Sequence, residues 1–298
     1  MSFKNITVAG SGVLGSQIAY QTAYHGFTVS VYDINDEAIE KAKERYQKWM
    51  QRYQEDLDAT KEETQQAYER ITFFTDLKEA TKDADLVIEA VPERTDIKIN
   101  FYNKLAEVAP EKTVFVTNSS TLLPSDFAEA TGRPEKFLAL HFANEIWINN
   151  TAEVMRHKKT NMDHFYEVVE FAKEIGMVPL ELHKEQPGYI LNSLLVPFLN
   201  SGLSLLVNEV SDVETIDKTW MIATGAPRGP MGTLDIIGMT TPYNINAQKG
   251  QHGDPDSQKI ADYLKENYID KGKMGISSGE GFYTYPNPSY QDPDFLKK

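Results

Sequence analysis

Six histidines are spread over 298 residues, and one of them stands where proton chemistry would need it. His141 follows a short apolar run, Phe137 to Leu140, that reads as a strand. It therefore occupies a strand's carboxyl end, the edge at which open α/β sheets bind ligands. An imidazole exchanges protons near neutral pH and suits general acid/base work. Twelve residues on, Glu153 interrupts another apolar run, Thr151 to Met155. A carboxylate inside such a strand is expensive unless paired. Glu153 is thus the candidate to fix the tautomer of His141 and stabilise its charged form. Asn118, Ser119, Ser120 and Thr121 close a third strand at the same edge. Their side chains can hold a substrate oxygen or a cofactor, or cap a following helix. Asn192 is a polar residue in a long apolar helix, able to face a cleft between domains or to bond a neighbouring helix. A satisfied core histidine and a surface-facing Glu153 remain the plain alternatives. His25, beside Gly26, reads as a helix-end cap, and His157, His164, His183 and His252 read as surface residues.

The second chemical signal lies at the front of the chain. Ile6 to Ala9 runs into Gly10, Gly12 and Gly15 in a G-x-G-x-x-G pattern, followed by a helical stretch, Gly26, an apolar run from Val29 to Tyr32, and Asp33. Strand, glycine turn, helix, strand and acid fit a dinucleotide-binding unit, the plain alternative being a glycine turn in a βαβ unit that binds nothing. Gly10 permits the tight turn, Gly12 lets a pyrophosphate approach, and Gly15 lets the helix lie close to the strand. The first-turn N–H groups, including those of Val13 and Leu14, face the phosphates. Asp33, 18 residues past Gly15, can accept hydrogen bonds from a ribose 2′-OH. The expected cofactor is NAD rather than NADP, because Asp33 repels a 2′-phosphate and Ile34 supplies no cation.

Positioning these residues takes a sheet. Further strands are read at Ile71–Thr75, Asp85–Val91, Thr113–Val116 and Val178–Leu182, with helices between them at about Thr95–Val108 and Asp163–Ile175. This order predicts a mostly parallel, doubly wound Rossmann-type sheet with helices on both faces. A charged helical hairpin is inserted at about residues 36–70, its Ala42, Tyr46, Trp49, Met50, Tyr53 and Leu57 recurring at helical spacing. Past Gln186, Pro187 and Gly188 the pattern becomes helical. Helices are expected over Tyr189–Glu209, Ser211–Thr224 (with Ser211 a candidate cap), Leu234–Ile245 and Gln258–Tyr268, with a turn-rich break at Gly225–Gly232. Residues 1–185 and 186–298 are therefore expected to be an NAD-binding domain and an all-helical substrate and dimerisation domain.

Composition limits the function classes. The chain is 41% hydrophobic and 25% charged, with a net charge of −14 and no cysteine. Such acidity gives no electrostatic reason to bind nucleic acid or an anionic membrane. The lack of cysteine removes disulfides, thiolate metal sites and a cysteine nucleophile, and no metal site is expected. A strand starting close to Met1 leaves no room for a leader, and a cytoplasmic setting is expected. Tyr189–Val207 has the length of a membrane span. It is broken by Asn192, Ser193, Pro197, Asn200, Ser201 and Gly202, and is read instead as a buried core helix.

These residues together resemble the L-3-hydroxyacyl-CoA dehydrogenase family over nearly the whole chain. The matching pieces are the glycine motif with Asp33, Val87–Glu93 with Lys98, Asn118–Ser120, His141-Phe142-x-Asn144, Ala152–Val154, Pro187–Asn192, Pro230–Gly232 and Gly279–Tyr283. Within the family the chain looks most like bacterial diketoreductases. The resemblance implies that His141 is the general base and Glu153 its orienting partner. Ser120 and Asn192 would hold the reacting oxygen, with Ser120 also lining the cofactor. Asn144 would touch the nicotinamide end, while Glu93 and Lys98 would line the cofactor and its ribose. It implies interconversion of 3-hydroxy and 3-keto acyl compounds, as in fatty acid metabolism, and a homodimer joined through the helical domain. Acyl-CoA members carry a serine and lysines in the hairpin where this chain has Trp49 and Asp56. Here Glu145 follows Asn144 in place of proline, Ser193 follows Asn192 in place of arginine, and Ser277 replaces a lysine near the C-terminal Gly-Glu-Gly. A free keto or diketo acid, or its ester, is accordingly the alternative substrate. A non-catalytic NADH-binding or structural protein is the non-enzymatic alternative. A phosphogluconate-type dehydrogenase, sharing the two-part plan, would need a lysine that Gly188–Asn192 does not supply.

Overall fold

The computed structural model describes residues 3–297, in two compact units, one ending at Leu191 and the other starting at Asn192. The first is a Rossmann-type α/β unit. Its chain runs through β1 (Asn5–Ala9), α1 (Val13–Tyr24), β2 (Thr28–Tyr32), α2 (Asp36–Leu57), α3 (Lys61–Glu69), β3 (Ile71–Phe74), α4 (Leu77–Thr81) and β4 (Leu86–Glu89). It continues through α5 (Thr95–Val108), β5 (Val114–Thr117), β6 (Phe137–Phe142), β7 (Thr151–Met155), α6 (Met162–Glu174) and β8 (Val178–Leu182). The eight strands lie in the order β3-β2-β1-β4-β5-β6-β7-β8. All pairs are parallel except β6–β7. A parallel return needs a crossover of a dozen or more residues, and the connection between Phe142 and Thr151 is too short for one. The resulting antiparallel register sets His141 directly opposite Glu153.

The inserted hairpin forms as its periodicity predicts. Ile39, Ala42, Tyr46 and Tyr53 bury one stripe of α2, while Leu57 stays exposed. Asn35 caps α2, and Thr60 with Glu63 forms a capping box on α3. Such caps contribute about 1 kcal/mol each. Tyr20, Tyr46 and Tyr53 seat the hairpin on α1. The short helix α4, capped by Asp76, is absent from the sequence reading because five residues are too few to show a period.

The boundary expected at residue 185 comes earlier than the division after Leu191. The intervening residues belong to the first unit because Glu153 accepts the N–H groups of Ile190 and Leu191, both at 2.9 Å. These open α7 (Tyr189–Val207), which α8 (Val213–Thr224), α9 (Pro230–Ile237), α10 (Thr240–Gln251) and α11 (Pro255–Asn267) follow. Asp212, not Ser211, caps α8. The single helix expected at Leu234–Ile245 is instead two. Pro230 starts α9 at a position where its missing N–H costs nothing, and Gly238, at φ +86°, ends it.

The core of the second unit is Leu199, Leu203, Met231, Leu234, Leu264, Tyr283 and Phe295. Two buried carboxylates tie its segments together. Asp217 accepts from the N–H groups of Met231 and Gly232 and from the Tyr283 hydroxyl. Asp235 accepts from Phe282 N–H, Tyr283 N–H and the Tyr285 hydroxyl. Burial raises both above the usual carboxylate range, against the opposing pull of these hydrogen bonds.

The reading of Tyr189–Val207 as a buried core helix is overturned. The segment is long and apolar enough to span a membrane by length and composition, yet only 17% of its apolar window is buried within this chain. Leu194 is 70% exposed, because the helices of one chain do not cover the whole apolar surface of α7.

Candidate active site

The glycine turn between β1 and α1 is fixed by close approach. Gly10 adopts φ +103°, and a Cβ there would overlap the Ala90 carbonyl. A Cβ on Gly15 would overlap the Gly10 carbonyl, whereas Gly12 faces open space. Gly10 and Gly15 are thus demanded by the fold itself, whereas nothing within the chain crowds Gly12. The N-terminus of α1 carries no side-chain cap and no acid in its first turn, so its dipole and first-turn N–H groups, those of Val13 and Leu14 among them, suit an anion.

At the end of β2, Asp33 accepts from Ser11 N–H at 2.7 Å, Ser11 Oγ at 2.5 Å and Ile34 N–H at 2.8 Å. A carboxylate has about four acceptor positions, so capacity for a ribose hydroxyl remains. Beside it lies a cleft of about 510 Å³ walled by Tyr32, Ile34, Val91, Pro92 and Phe101. These residues fit a dinucleotide: glycine-cleared space and helix N–H groups for phosphates, an acid for ribose, and apolar walls for a base. Sequence reasoning missed the walls from α5, whose placement depends on the β4–α5 crossover. It also missed Lys41 and Arg45, which line a pocket on the other side of Asp33. Lys41 is paired with Glu37, and Arg45 donates to the Ser11 carbonyl.

The structure brings His141, Glu153 and Ser120 together. Glu153 Oε2 is 3.0 Å from His141 Nδ1, and Ser120 Oγ is 3.2 Å from Nε2. Glu153 is buried and collects three donors, counting the two N–H groups at the start of α7. That arrangement matches an acceptor-only carboxylate and assigns the imidazole proton to Nδ1. Nε2 is left with its lone pair towards Ser120, able to take or return a proton. Asn118 braces the strand end by accepting Phe142 N–H at 3.0 Å.

Glu93 organises the turn that carries Ser120. Its Oε1 accepts from Ser119 Oγ (2.6 Å), Ser120 N–H (3.0 Å), Thr121 N–H (2.9 Å) and Thr121 Oγ1 (2.9 Å). Burial raises its pKa, but these bonds and the Lys98 charge outweigh that and hold it below the usual range. Lys98, expected to line the cofactor, is only 1% exposed. Its ammonium sits 2.6 Å from the fully buried Glu89 and 3.3 Å from Glu93, so it anchors the wall from behind. Tyr102 and Thr117 complete the Glu89 carboxylate at 2.9 and 2.7 Å. Asn144 lies exposed just past β6, and Asn192 is half-buried in the first turns of α7.

Two further residues escaped the sequence reading. Tyr189 stacks on the His141 ring, and Glu89 stands at the centre of the β4–β5–α5 network. His157, read as a surface residue, is buried, its Nε2 3.0 Å from the Pro134 carbonyl.

The face of the hairpin is also tied up by bonds within it, to α1 and to the β6–β7 connection. Trp49 donates to Ser16 Oγ at 3.0 Å. Arg52 bonds Asp56 at 2.9 Å and Glu145 at 3.1 Å, and Trp147 donates to Asp56 at 2.8 Å. The Trp147 indole, followed by Arg52, holds Asp56 below the usual carboxylate range.

Two family models cover the chain in succession. The NAD binding domain of 3-hydroxyacyl-CoA dehydrogenase matches residues 5–186, and its C-terminal domain matches 188–285. The chain is 32% identical over 285 residues to a probable 3-hydroxybutyryl-CoA dehydrogenase of Bacillus subtilis, covering 96% of this chain and 98% of that one. It is 30% identical over 288 residues to the mitochondrial hydroxyacyl-coenzyme A dehydrogenase of Homo sapiens, covering 95% and 91%. Among solved structures, a diketoreductase described for substrate-directed dual catalysis of dicarbonyl compounds aligns with a TM-score of 0.92 at 56% identity, over 96% of this chain and all 100% of that one. An (S)-3-hydroxybutyryl-CoA dehydrogenase from Ralstonia eutropha aligns with a TM-score of 0.82 at 25% identity, with the same 96% and 100% coverage.

Proposed function

The chain belongs to the 3-hydroxyacyl-CoA dehydrogenase family and is an NAD-dependent oxidoreductase of CH–OH groups; from that premise we propose that it interconverts 3-hydroxy and 3-keto compounds that are free acids or esters rather than CoA thioesters. NAD, when bound, takes or gives the hydride. His141 Nε2 removes the proton from the substrate hydroxyl in oxidation and returns it to the carbonyl oxygen in reduction. Glu153 keeps the exchanging nitrogen facing the substrate and stabilises the imidazolium. Ser120, beside Nε2, donates to the same oxygen, and Asn192 is assigned to it by family likeness. Glu93 and Lys98 hold the Ser120 turn, and Asn144 is assigned to the nicotinamide end.

The observation that carries the substrate class is the hairpin face. Where the resemblance places a serine and lysines for CoA, this chain has Trp49 bound to Ser16 and Asp56 bound to Arg52 and Trp147. One cation facing two carboxylates, Asp56 and Glu145, offers CoA phosphates no net positive charge. The 56% identity to the diketoreductase supports the same reading. Loss of NADH absorbance is measured with a 3,5-diketo ester, free acetoacetate and acetoacetyl-CoA. The best free substrate is expected to exceed acetoacetyl-CoA in kcat/KM by about tenfold or more, which is 1.4 kcal/mol of transition-state discrimination. A preference for the thioester overturns the proposal.

The same reading includes a homodimer through the helical unit. Phe198, Leu205, Val210, Ile216 and Trp220 line an apolar trench of about 460 Å³, and Ile222 is 62% exposed. An apolar trench beside exposed apolar side chains suits association, and a second copy presents the identical patch to itself across a two-fold axis. Light scattering is expected to give twice the chain mass; a monomer at micromolar concentration overturns this part.

A further inference from the structure

We infer that Tyr189 is a positioning residue for the acid/base pair, holding the His141 ring by its face and the Ser120 turn by its hydroxyl. The inference rests on the proposed role of His141. The two rings are stacked, with centroids 4.4 Å apart and planes 17° from parallel. The Tyr189 hydroxyl donates to the Ser119 carbonyl at 2.7 Å. Ser119 is the residue before Ser120, whose hydroxyl meets His141 Nε2. One fully buried side chain thus joins both partners of the reaction.

Three observations separate this contact from ordinary packing. First, Tyr189 has φ +56°, the left-handed region, which is costly for a bulky residue. The strain is held by the bond from Tyr189 N–H to the Gln186 carbonyl at 3.0 Å and by Glu153, which accepts the next two N–H groups, those of Ile190 and Leu191. Second, those bonds use Glu153 Oε1 while Oε2 binds the imidazole, so one carboxylate fixes the histidine edge-on and the residues that carry its stacking partner. Third, burial, and then the carboxylates of Glu93, Glu153 and Glu89, push the phenol far above its ordinary range. It stays neutral and remains a donor.

The charged and titratable groups around the ring pair come from four elements. Glu153 lies on β7, Glu93 in the turn after β4, Glu89 on β4, and Tyr102 on α5, with Lys98 of α5 between Glu93 and Glu89. Against that fixed background, the Tyr189 face sets the plane of the imidazole, and with it the direction of Nε2 towards Ser120.

Tyr189→Phe and Tyr189→Leu are compared with wild type and with His141→Ala. The measurements are kcat and KM for reduction, NADH binding by fluorescence and melting temperature. Tyr189→Phe keeps the stack and loses the Ser119 bond. It is expected to lower kcat about three- to tenfold, in line with the loss of one buried hydrogen bond, with KM unchanged. Tyr189→Leu is expected to lower kcat further than Tyr189→Phe, with KM and NADH affinity retained. A folded leucine variant with wild-type kcat overturns the inference, as does a phenylalanine variant with wild-type kcat. If the leucine variant does not fold, the phenylalanine variant decides alone. Loss of turnover in His141→Ala with both tyrosine variants unaffected refutes Tyr189 only, whereas full turnover in His141→Ala refutes the acid/base reading beneath it.

Discussion

Replacing His141 with alanine is expected to lower kcat by about 10²- to 10⁴-fold and to leave NADH affinity unchanged. The side chain lies at the carboxyl end of β6, bonded to Glu153 and Ser120, whereas the glycine turn, Asp33 and the cleft beside it are built from the carboxyl ends of β1, β2 and β4, the start of α1, and α5. Removing the imidazole therefore deletes the proton carrier without touching the cofactor cradle. It also strips Glu153 Oε2 of its partner, and a buried carboxylate deprived of a hydrogen bond costs about 1–3 kcal/mol, so a lower melting temperature accompanies the kinetic loss. Stability and turnover are separated by measuring kcat well below the variant's transition, with NADH binding as the control for folded enzyme. A kcat within a few-fold of wild type removes His141 from the chemistry.

The parts of the fold that could be read were those with a local cause. Gly10 and Gly15 are required by contacts within one strand-turn-helix unit. The apolar runs of β4, β5 and β6 are buried along their whole length. His141 and Glu153 could be singled out because a polar group in an apolar strand demands a partner, and a short connection makes the two strands antiparallel neighbours. The same rule applied to Glu89, which stands in the equally apolar run Leu86–Val91, and it would have led to the buried pair with Lys98. Lys98 was read instead by family likeness as a cofactor contact, since helical spacing alone does not say which side of α5 faces the sheet. Tyr189 carries no such mark. Its role depends on a left-handed backbone angle and on strands β5, β6 and β7 converging on it, all of them long-range properties. The exposure of α7 was equally hidden, because an all-round apolar helix has the same pattern whether its cover comes from its own chain or from another.

Glu153→Gln is expected to cost about as much turnover as His141→Ala, about 10²- to 10⁴-fold in kcat by analogy with tautomer-breaking changes in a catalytic triad. The size and shape of the side chain are conserved, so the cause is hydrogen-bond direction. Glu153 receives donors on both oxygens: His141 Nδ1 on one, Ile190 and Leu191 N–H on the other. An amide has one acceptor and one donor end. With the carbonyl towards α7, its NH₂ faces Nδ1, which must then accept; the imidazole proton moves to Nε2, and the nitrogen beside Ser120 loses its lone pair. With the amide reversed, the histidine keeps its tautomer, but two main-chain N–H groups confront an NH₂, and the start of α7 loses its cap at a cost of about 1–3 kcal/mol for each unsatisfied group. The first arrangement preserves stability and destroys catalysis; the second does the opposite to a lesser degree. The first is favoured because it leaves a single interaction to invert, and a neutral imidazole can invert it by shifting one proton. The expected signature is a nearly unchanged melting temperature and NADH affinity with kcat collapsed across the whole pH range. Near-normal kcat with a large drop in melting temperature shows instead that Glu153 serves the helix and not the histidine.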